Sequence, residues 1–158
     1  METIRGISKV VSAWTLESKT MLPKTPKDIE IYLKSGIAVI VKGDNDSPIG
    51  FGAITFDWPE DWKELGAIVV DPKFRKQGIG HLVVTKLIEK ARGVHPTSRL
   101  FALCNEKSIK LFMDNGATEI KDPNLLPDEV WSACTTCPMV VEAKKNGKLC
   151  CDTPVEIR

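Results

Sequence analysis

The stretch VVDPKFRKQGIG, residues 69–80, carries an apolar strand into a basic turn with two glycines and then into a helix. The first N–H groups of a helix have no intrahelical partner, and they form the positive end of the helix dipole. Gly78 and Gly80 let the backbone come close to a ligand, while Arg75 and Lys76 add positive charge. The pattern therefore predicts a cradle for a phosphate or pyrophosphate group.

The elements around this turn predict the fold class. A helix is predicted over 79–92, ended by Gly93, between apolar strands at 65–70 and 99–104. This order favours a right-handed βαβ crossover with parallel strands. Residues 37–57 read as an antiparallel hairpin. We therefore expect an α/β (α+β) fold, with a central mixed sheet and helices on both of its faces.

Two further predictions concern the N-terminal part. The segment IRGI, residues 4–7, reads as a short first strand, and Ser8 reads as the cap of a helix that follows it. Thr25 is expected to cap a second helix, which has Pro26 in its first turn and ends at Gly36.

Length and composition limit the class of protein. The chain has 158 residues and a net charge of +1, which fits one domain and gives no reason to expect a nucleic-acid partner. Residues 1–121 are predicted to form its core, and residues 122–158 a cysteine-rich tail that closes the same domain. With no leader-like or membrane-spanning run, we expect a cytoplasmic protein without a membrane partner. The sequence leaves open whether the protein forms a homodimer.

The turn resembles one particular kind of phosphate site. It lacks the GxxxxGK[ST] of a P-loop and the first glycine of GxGxxG. The pattern R-x-x-G-x-G after a strand resembles the acetyl-CoA signature of the GNAT acetyltransferase superfamily. A second match is Asn105, with Phe112 seven positions on and Gly116 after it. The alternative for Asn105 is a plain helix N-cap, and one side chain can serve both roles.

The resemblance implies a GNAT-type fold with a βαβ acetyl-CoA-binding core, and it assigns the residues that bind the co-substrate. The turn would hold the pyrophosphate, and the backbone of the preceding strand would bind the pantetheine and the thioester carbonyl. Asn105 would bond the CoA arm, and Phe112 occupies the aromatic position. The turn residues are Arg75, Lys76, Gln77, Gly78, Ile79 and Gly80, and the strand residues are Ile68, Val69 and Val70.

Amine acetylation needs a base, and Glu64 is the candidate. It stands seven residues before Asp71, the spacing at which similar family members place a glutamate base. The alternative is a solvated strand-end carboxylate like Glu60. The aromatic position often holds a proton-donating tyrosine, but here it is Phe112. Another group or water donates the proton, or CoA leaves as a thiolate, since thiols ionise near a pKa of ~8.5.

Two segments resemble the short bacterial amino-acid N-acetyltransferases of the N-acetylglutamate synthase type. They are MLPKTPKDIEIYL, starting at Met21, and the run LLPDEVWSACTTCP in the tail. The resemblance implies glutamate or a similar amino acid as the acceptor, with Lys24 as a candidate partner for a substrate carboxylate. The alternatives are a peptide or protein amine, or a non-catalytic acyl-CoA-binding sensor module, which Phe112 permits.

Four cysteines of the tail suggest a metal site. Cys134 and Cys137 form a CxxC motif, and Cys150 and Cys151 follow. Four thiolates suit a structural zinc, although adjacent cysteines form an unusual second half. The alternative is a set of reduced thiols or one redox pair.

Overall fold

The computed structural model describes residues 3–19, 21–138 and 153–158. The chain divides into two compact units, each made of two segments. The first combines Met1–Thr55 with Gly66–Pro96, and the second combines Phe56–Leu65 with Thr97–Arg158. This division does not follow the predicted boundary after residue 121, and the single domain stays a prediction.

The described helices are α1 Ile4–Ser18, α2 Pro26–Lys34, α3 Ile79–Val94, α4 Ile109–Met113 and α5 Asp128–Thr135, and the described strands are β1 Ala38–Lys42, β2 Pro48–Trp58, β3 Trp62–Val70, β4 Arg99–Cys104, β5 Thr118–Glu119 and β6 Thr153–Ile157. From β1 to β4 the elements follow the predicted order. Within the described residues the strands form one six-stranded sheet of order β1-β2-β3-β4-β6-β5. Strand β3 pairs with β4 in parallel, whereas β1–β2, β4–β6 and β5–β6 are antiparallel. The predicted mixed sheet is confirmed.

The N-terminal prediction was wrong. Helix α1 already begins at Ile4, where a strand was expected, and its cap is Thr3, whose hydroxyl accepts a bond from the N–H of Gly6 at 3.0 Å. Ser8 lies inside the helix, buried, and donates from Oγ to the carbonyl of Ile4 at 2.7 Å. The earlier start lets Ile7 join the buried face of α1.

Helix α2 begins as predicted. The hydroxyl of Thr25 accepts from the N–H of Asp28, and the Asp28 carboxylate accepts from the N–H of Thr25, a reciprocal capping box. Pro26 is the first helical residue, and Gly36 follows the helix with a φ of +70°. The capping motif, which is local in the sequence, therefore explains why this boundary was predictable.

The first unit has helices on both faces of its strands. Alternation along β2 points Phe51 and Ala53 to one face, where they join a core cluster with buried residues of α1 and α2. Gly50 and Gly52 point to the other face, toward α3. Helix α3 ends at Val94, one residue beyond the predicted stop at Gly93.

The second unit has its own core. Trp62 of β3 and Phe101 of β4 meet edge to face, with ring centroids 5.6 Å apart. Ile120, Leu126 and Val130 complete this buried cluster. Strand β6, predicted from TPVEIR, pairs along β4 from Leu100–Ile157 to Cys104–Thr153. Among the described residues, no helix is both long and apolar enough to span a bilayer.

We expect Gly50→Ala to destabilise the protein by about 1–3 kcal/mol, the usual cost of overpacking a core. A Cβ at this position would lie 2.7 Å from Cγ2 of Val83 and 2.9 Å from Cγ2 of Ile79, and Val83 is fully buried. Denaturant unfolding measures the change. The control is Gly93→Ala, where a Cβ meets nothing within 4 Å and helix propensity predicts up to about 1 kcal/mol of stabilisation. Equal stability of Gly50→Ala and wild type would contradict the close approach.

Candidate functional site

The chain leaves β3 through a short, well-defined turn. The N–H of Asp71 donates to the carbonyl of Ile49 at 2.8 Å, and the Asp71 carboxylate accepts from the N–H of Lys73 at 3.0 Å. A single 3-10 turn, Pro72–Phe74, follows. These bonds tie the start of the predicted phosphate turn to β2, within the first unit.

The turn itself has a conformation suited to an anion. Lys76 and Gly78 both adopt left-handed dihedrals, with φ of +63° and +80°. Gly78 is the N-cap of α3, and no side chain caps the helix there. Residues 75–78 are exposed. The first-turn N–H groups of α3 therefore lack a side-chain cap and can be offered to a ligand.

Arg75 has a partner that the sequence did not predict. Its guanidinium donates to Oε2 of Glu17, in the last turn of α1, at 2.8 Å. Both side chains are about half exposed, at 42% and 54%. A surface pair of this kind contributes about 0–1 kcal/mol, so Arg75 can exchange Glu17 for a phosphate at little cost.

Strand β3 is irregular just before the residues expected to bind the thioester arm. Ala67 has a φ of +53°, a left-handed conformation inside a strand. Such a residue is typical of a β-bulge, which redirects the neighbouring N–H groups. Ile68, Val69 and Val70 follow directly, and their binding role stays a prediction. The sequence carries no glycine at residue 67 to signal the bulge.

Glu64 is hydrogen-bonded rather than simply solvated. It lies in β3 opposite Phe101 of β4 and is half-buried. Oε1 of Glu64 accepts from the indole Nε1 of Trp58 at 2.9 Å. The exposed Glu60, by contrast, lies in the turn before β3. Its role as the base stays a prediction, and no signal in the sequence identified Trp58 as its partner.

Asn105 and Phe112 belong to the second unit. Oδ1 of Asn105 accepts from the N–H groups of Lys107 and Ser108, at 2.9 and 3.0 Å. These bonds close the turn at residues 105–108, and the N-cap of α4 itself is Ser108, so Asn105 is not the plain helix N-cap of the alternative. Phe112 is 2% exposed and forms part of the core. Contact of either residue with a ligand stays a prediction.

The segment around Lys24 is fastened to α1 through its backbone. The carbonyl of Lys24 accepts from Oγ of Ser12 at 2.6 Å, and its N–H donates to Oγ1 of Thr15 at 3.0 Å. Ser12 and Thr15 are buried. Their signal in the sequence is a pair of hydroxyl residues three positions apart on an otherwise apolar helix face.

Only half of the predicted zinc ligands fall in the described chain. Cys134 lies in α5, and the N–H of Cys137 donates to its carbonyl at 3.2 Å. Cys150 and Cys151 lie outside the described residues. Within residues 3–19, 21–138 and 153–158, no three metal-ligating side chains cluster. The zinc site therefore stays a prediction.

Part of the sequence is similar to that of a known protein. An amino-acid acetyltransferase of Mycobacterium tuberculosis (strain ATCC 25618 / H37Rv) is 36% identical over 73 residues, which are 46% of this chain and 40% of that protein. The chain thus matches less than half the length of this curated relative.

Solved structures share the fold at lower identity. A Mycobacterium tuberculosis protein in complex with CoA superposes with a TM-score of 0.63 at 23% identity, over 98% of this chain and 92% of that one. N-acetylglutamate synthase of Neisseria gonorrhoeae, complexed with coenzyme A and N-acetyl-glutamate, gives a TM-score of 0.64 at 22% identity, over 94% of this chain and 32% of that one. Residues 10–117, more than half of the chain, match the acetyltransferase (GNAT) family. The chain belongs to the GNAT acetyltransferase family.

Proposed function

We propose that this protein transfers the acetyl group of acetyl-CoA to the α-amine of a small amino acid, with glutamate as the first acceptor to test. The observation that carries the proposal is the uncapped start of α3 behind a left-handed Gly78, in a chain of the GNAT family. The named relatives, an amino-acid acetyltransferase and an N-acetylglutamate synthase, support the choice of acceptor.

The turn before α3 would bind the pyrophosphate of acetyl-CoA. The N–H groups of the first helical turn, beginning at Ile79 and Gly80, donate to its oxygens, and the helix dipole favours the negative charge. Arg75 and Lys76 add cations, and Gln77 adds a polar side chain. None of these groups needs a large rearrangement, since residues 75–78 are already exposed.

The backbone of Ile68, Val69 and Val70 would bind the pantetheine and the thioester carbonyl. The left-handed conformation of Ala67 supports this assignment, because it interrupts the regular strand just before them. Backbone N–H groups placed where charge develops stabilise the oxyanion of the tetrahedral intermediate.

Glu64 would act as the general base. Its carboxylate takes a proton from the substrate ammonium, directly or through water, and the neutral amine then attacks the thioester carbon. The N–C bond forms and the C–S bond breaks. CoA leaves as a thiolate, whose conjugate thiol has a pKa of ~8.5. Phe112 has no proton to give, and its buried ring leaves protonation of the thiolate to water.

Lys24 would meet the side-chain carboxylate of a glutamate-like acceptor. Its backbone is fixed by bonds from Ser12 and to Thr15, so the start of its side chain has a defined position. A cation opposite a carboxylate gives a charge-assisted hydrogen bond, which distinguishes a dicarboxylic from a monocarboxylic amino acid.

Substitution Gly78→Ala should weaken acetyl-CoA binding about tenfold. A side chain at a φ of +80° costs about 1–2 kcal/mol, so the turn relaxes away from the cradle conformation. Titration calorimetry measures the Kd. The matched control is Gly36→Ala, since Gly36 has a φ of +70° and equally open surroundings. It should lose similar stability and keep the wild-type Kd, and an unchanged Kd in Gly78→Ala would argue against the cradle.

Substitution Glu64→Gln should lower kcat/KM for the amine by roughly 10²–10⁴-fold, the usual contribution of a general base. Release of CoA thiol across a panel of amino acids is the assay, with the Kd for acetyl-CoA unchanged. Glu60→Gln, at the exposed turn residue, is the control and should behave as wild type. Tight acetyl-CoA binding with no turnover of any amine would overturn the enzyme assignment.

Substitution Lys24→Met should raise KM for glutamate by roughly 10- to 100-fold, because a hydrogen bond between charged groups is lost. KM for a monocarboxylic amino acid should change little. Lys34→Met is the control, since Lys34 already pairs with Glu30 at 2.6 Å on α2. The same rise of KM for both kinds of acceptor would exclude Lys24 as a carboxylate partner.

A further inference from the structure

The carboxylate of Glu64 is held by the side chain of a tryptophan on the neighbouring strand. Trp58 is the last residue of β2, and Glu64 is the third residue of β3. The indole Nε1 of Trp58 donates to Oε1 of Glu64 across 2.9 Å. Both residues belong to the second compact unit, so the contact lies within that unit.

The indole is itself immobilised by packing. Its ring stacks on Phe56, with centroids 4.2 Å apart and an interplanar angle of 29°. It also packs against the buried cluster that contains Trp62, Phe101 and Ile120. An aromatic ring held on two sides points its N–H in one direction. The donor to Glu64 is therefore preorganised, unlike a water molecule at the same place.

The turn that joins the two strands is braced as well. Glu60 and Asp61 have φ of +64° and +61°, conformations that non-glycine residues adopt at a cost. Asp61 accepts from Oγ of Ser98 at 2.9 Å. Nζ of Lys63 lies 3.4 Å from Oδ1 of Asp57 and 3.5 Å from Oδ1 of Asp61. These contacts hold the ends of β2 and β3 in one arrangement, and with them the spacing of Trp58 and Glu64.

We propose that Trp58 is a positioning residue, whose indole N–H orients the Glu64 carboxylate for removal of the proton from the acceptor ammonium. The inference rests on the proposed function, in which Glu64 is the base. In this step the N–H bond of the ammonium breaks and an O–H bond to Glu64 forms. Trp58 acts through Glu64 and takes no proton itself, since an indole N–H only donates.

One physical effect follows from the bond. A general base works only when its oxygen lies within hydrogen-bond reach of the proton, so a fixed carboxylate raises the fraction of productive encounters. Loss of the indole N–H should thus slow the amine step and leave acetyl-CoA binding intact.

A double-mutant cycle separates this role from simple packing. The variants are Trp58→Phe, Glu64→Gln and the two combined, and phenylalanine keeps a ring against Phe56 while removing the donor. We expect Trp58→Phe to lower kcat/KM for the amine roughly 10- to 100-fold, the worth of a hydrogen bond to a charged group. In the Glu64→Gln background the same change should cost less than twofold, because the base is already gone.

A second tryptophan of the same cluster provides the control. Trp131 packs against the same buried cluster, but its Nε1 donates to the carbonyl of Pro123 at 2.8 Å. Trp131→Phe should lower the midpoint of unfolding and leave kcat/KM within twofold of wild type. A loss of activity in Trp131→Phe equal to that in Trp58→Phe would show that only packing matters and would overturn the proposal.

A spectroscopic readout tests the contact without relying on turnover. The chain has four tryptophans, each with one indole N–H signal in a ¹H–¹⁵N spectrum. Glu64→Gln should shift the signal of Trp58 and leave those of Trp14, Trp62 and Trp131 unchanged. An unshifted Trp58 signal overturns the proposal, even if Trp58→Phe does not fold.

The kinetic outcomes distinguish this proposal from the proposed function. An active wild type, an impaired Glu64→Gln and a fully active Trp58→Phe overturn the role of Trp58 alone. If Trp58→Phe lowers kcat/KM equally in the wild type and in Glu64→Gln, the role of Trp58 alone is also overturned. A wild-type protein that acetylates no amine overturns the function of the site and the role of Trp58 together.

Discussion

Helix α3 can lie against β2 only because Gly50 and Gly52 carry no side chain. A Cβ at Gly52 would fall 2.9 Å from both Cδ1 of Ile68 and Cγ1 of Val83. The close approach brings the helix down onto the strand and fixes where its first turn begins. A helix held one side chain further away would present its N–H groups at a different height above the sheet. The proposed anion cradle thus depends on two glycines that lie outside the motif at residues 75–80.

In the adjacent strands β2 and β3, packing likewise fixes the position of the proposed base, Glu64. Glu64 has no special local sequence, and the neighbouring Glu60 is chemically the same residue. What separates them is the indole of Trp58, held by Phe56 and by the core of the second unit. Rigid packing turns one of two similar carboxylates into an oriented group, which is how a fold prepares a reactive side chain before substrate arrives.

Much of the fold followed from local patterns. The capping box at Thr25, the apolar face of α3 and the final strand at residues 153–157 were all readable, because each depends on neighbours in the chain. The predicted strand at residues 4–7 was wrong, since a short apolar run fits a helix or a strand until its packing is known. The left-handed conformation of Ala67 and the Glu17–Arg75 pair left no local signal.

The sequence by itself determined the family resemblance, the class of fold and the stretch of chain that carries the proposed anion cradle. Those features depend on residues that are close together in the chain, namely glycines before an apolar helical pattern and a strand on either side of it. The tertiary structure decided which carboxylate is held by an indole, which hydroxyls fasten the backbone of Lys24, and how near α3 lies to β2. Such contacts join residues that are distant in the chain or on different elements, and their geometry exists only once the strands and helices have packed.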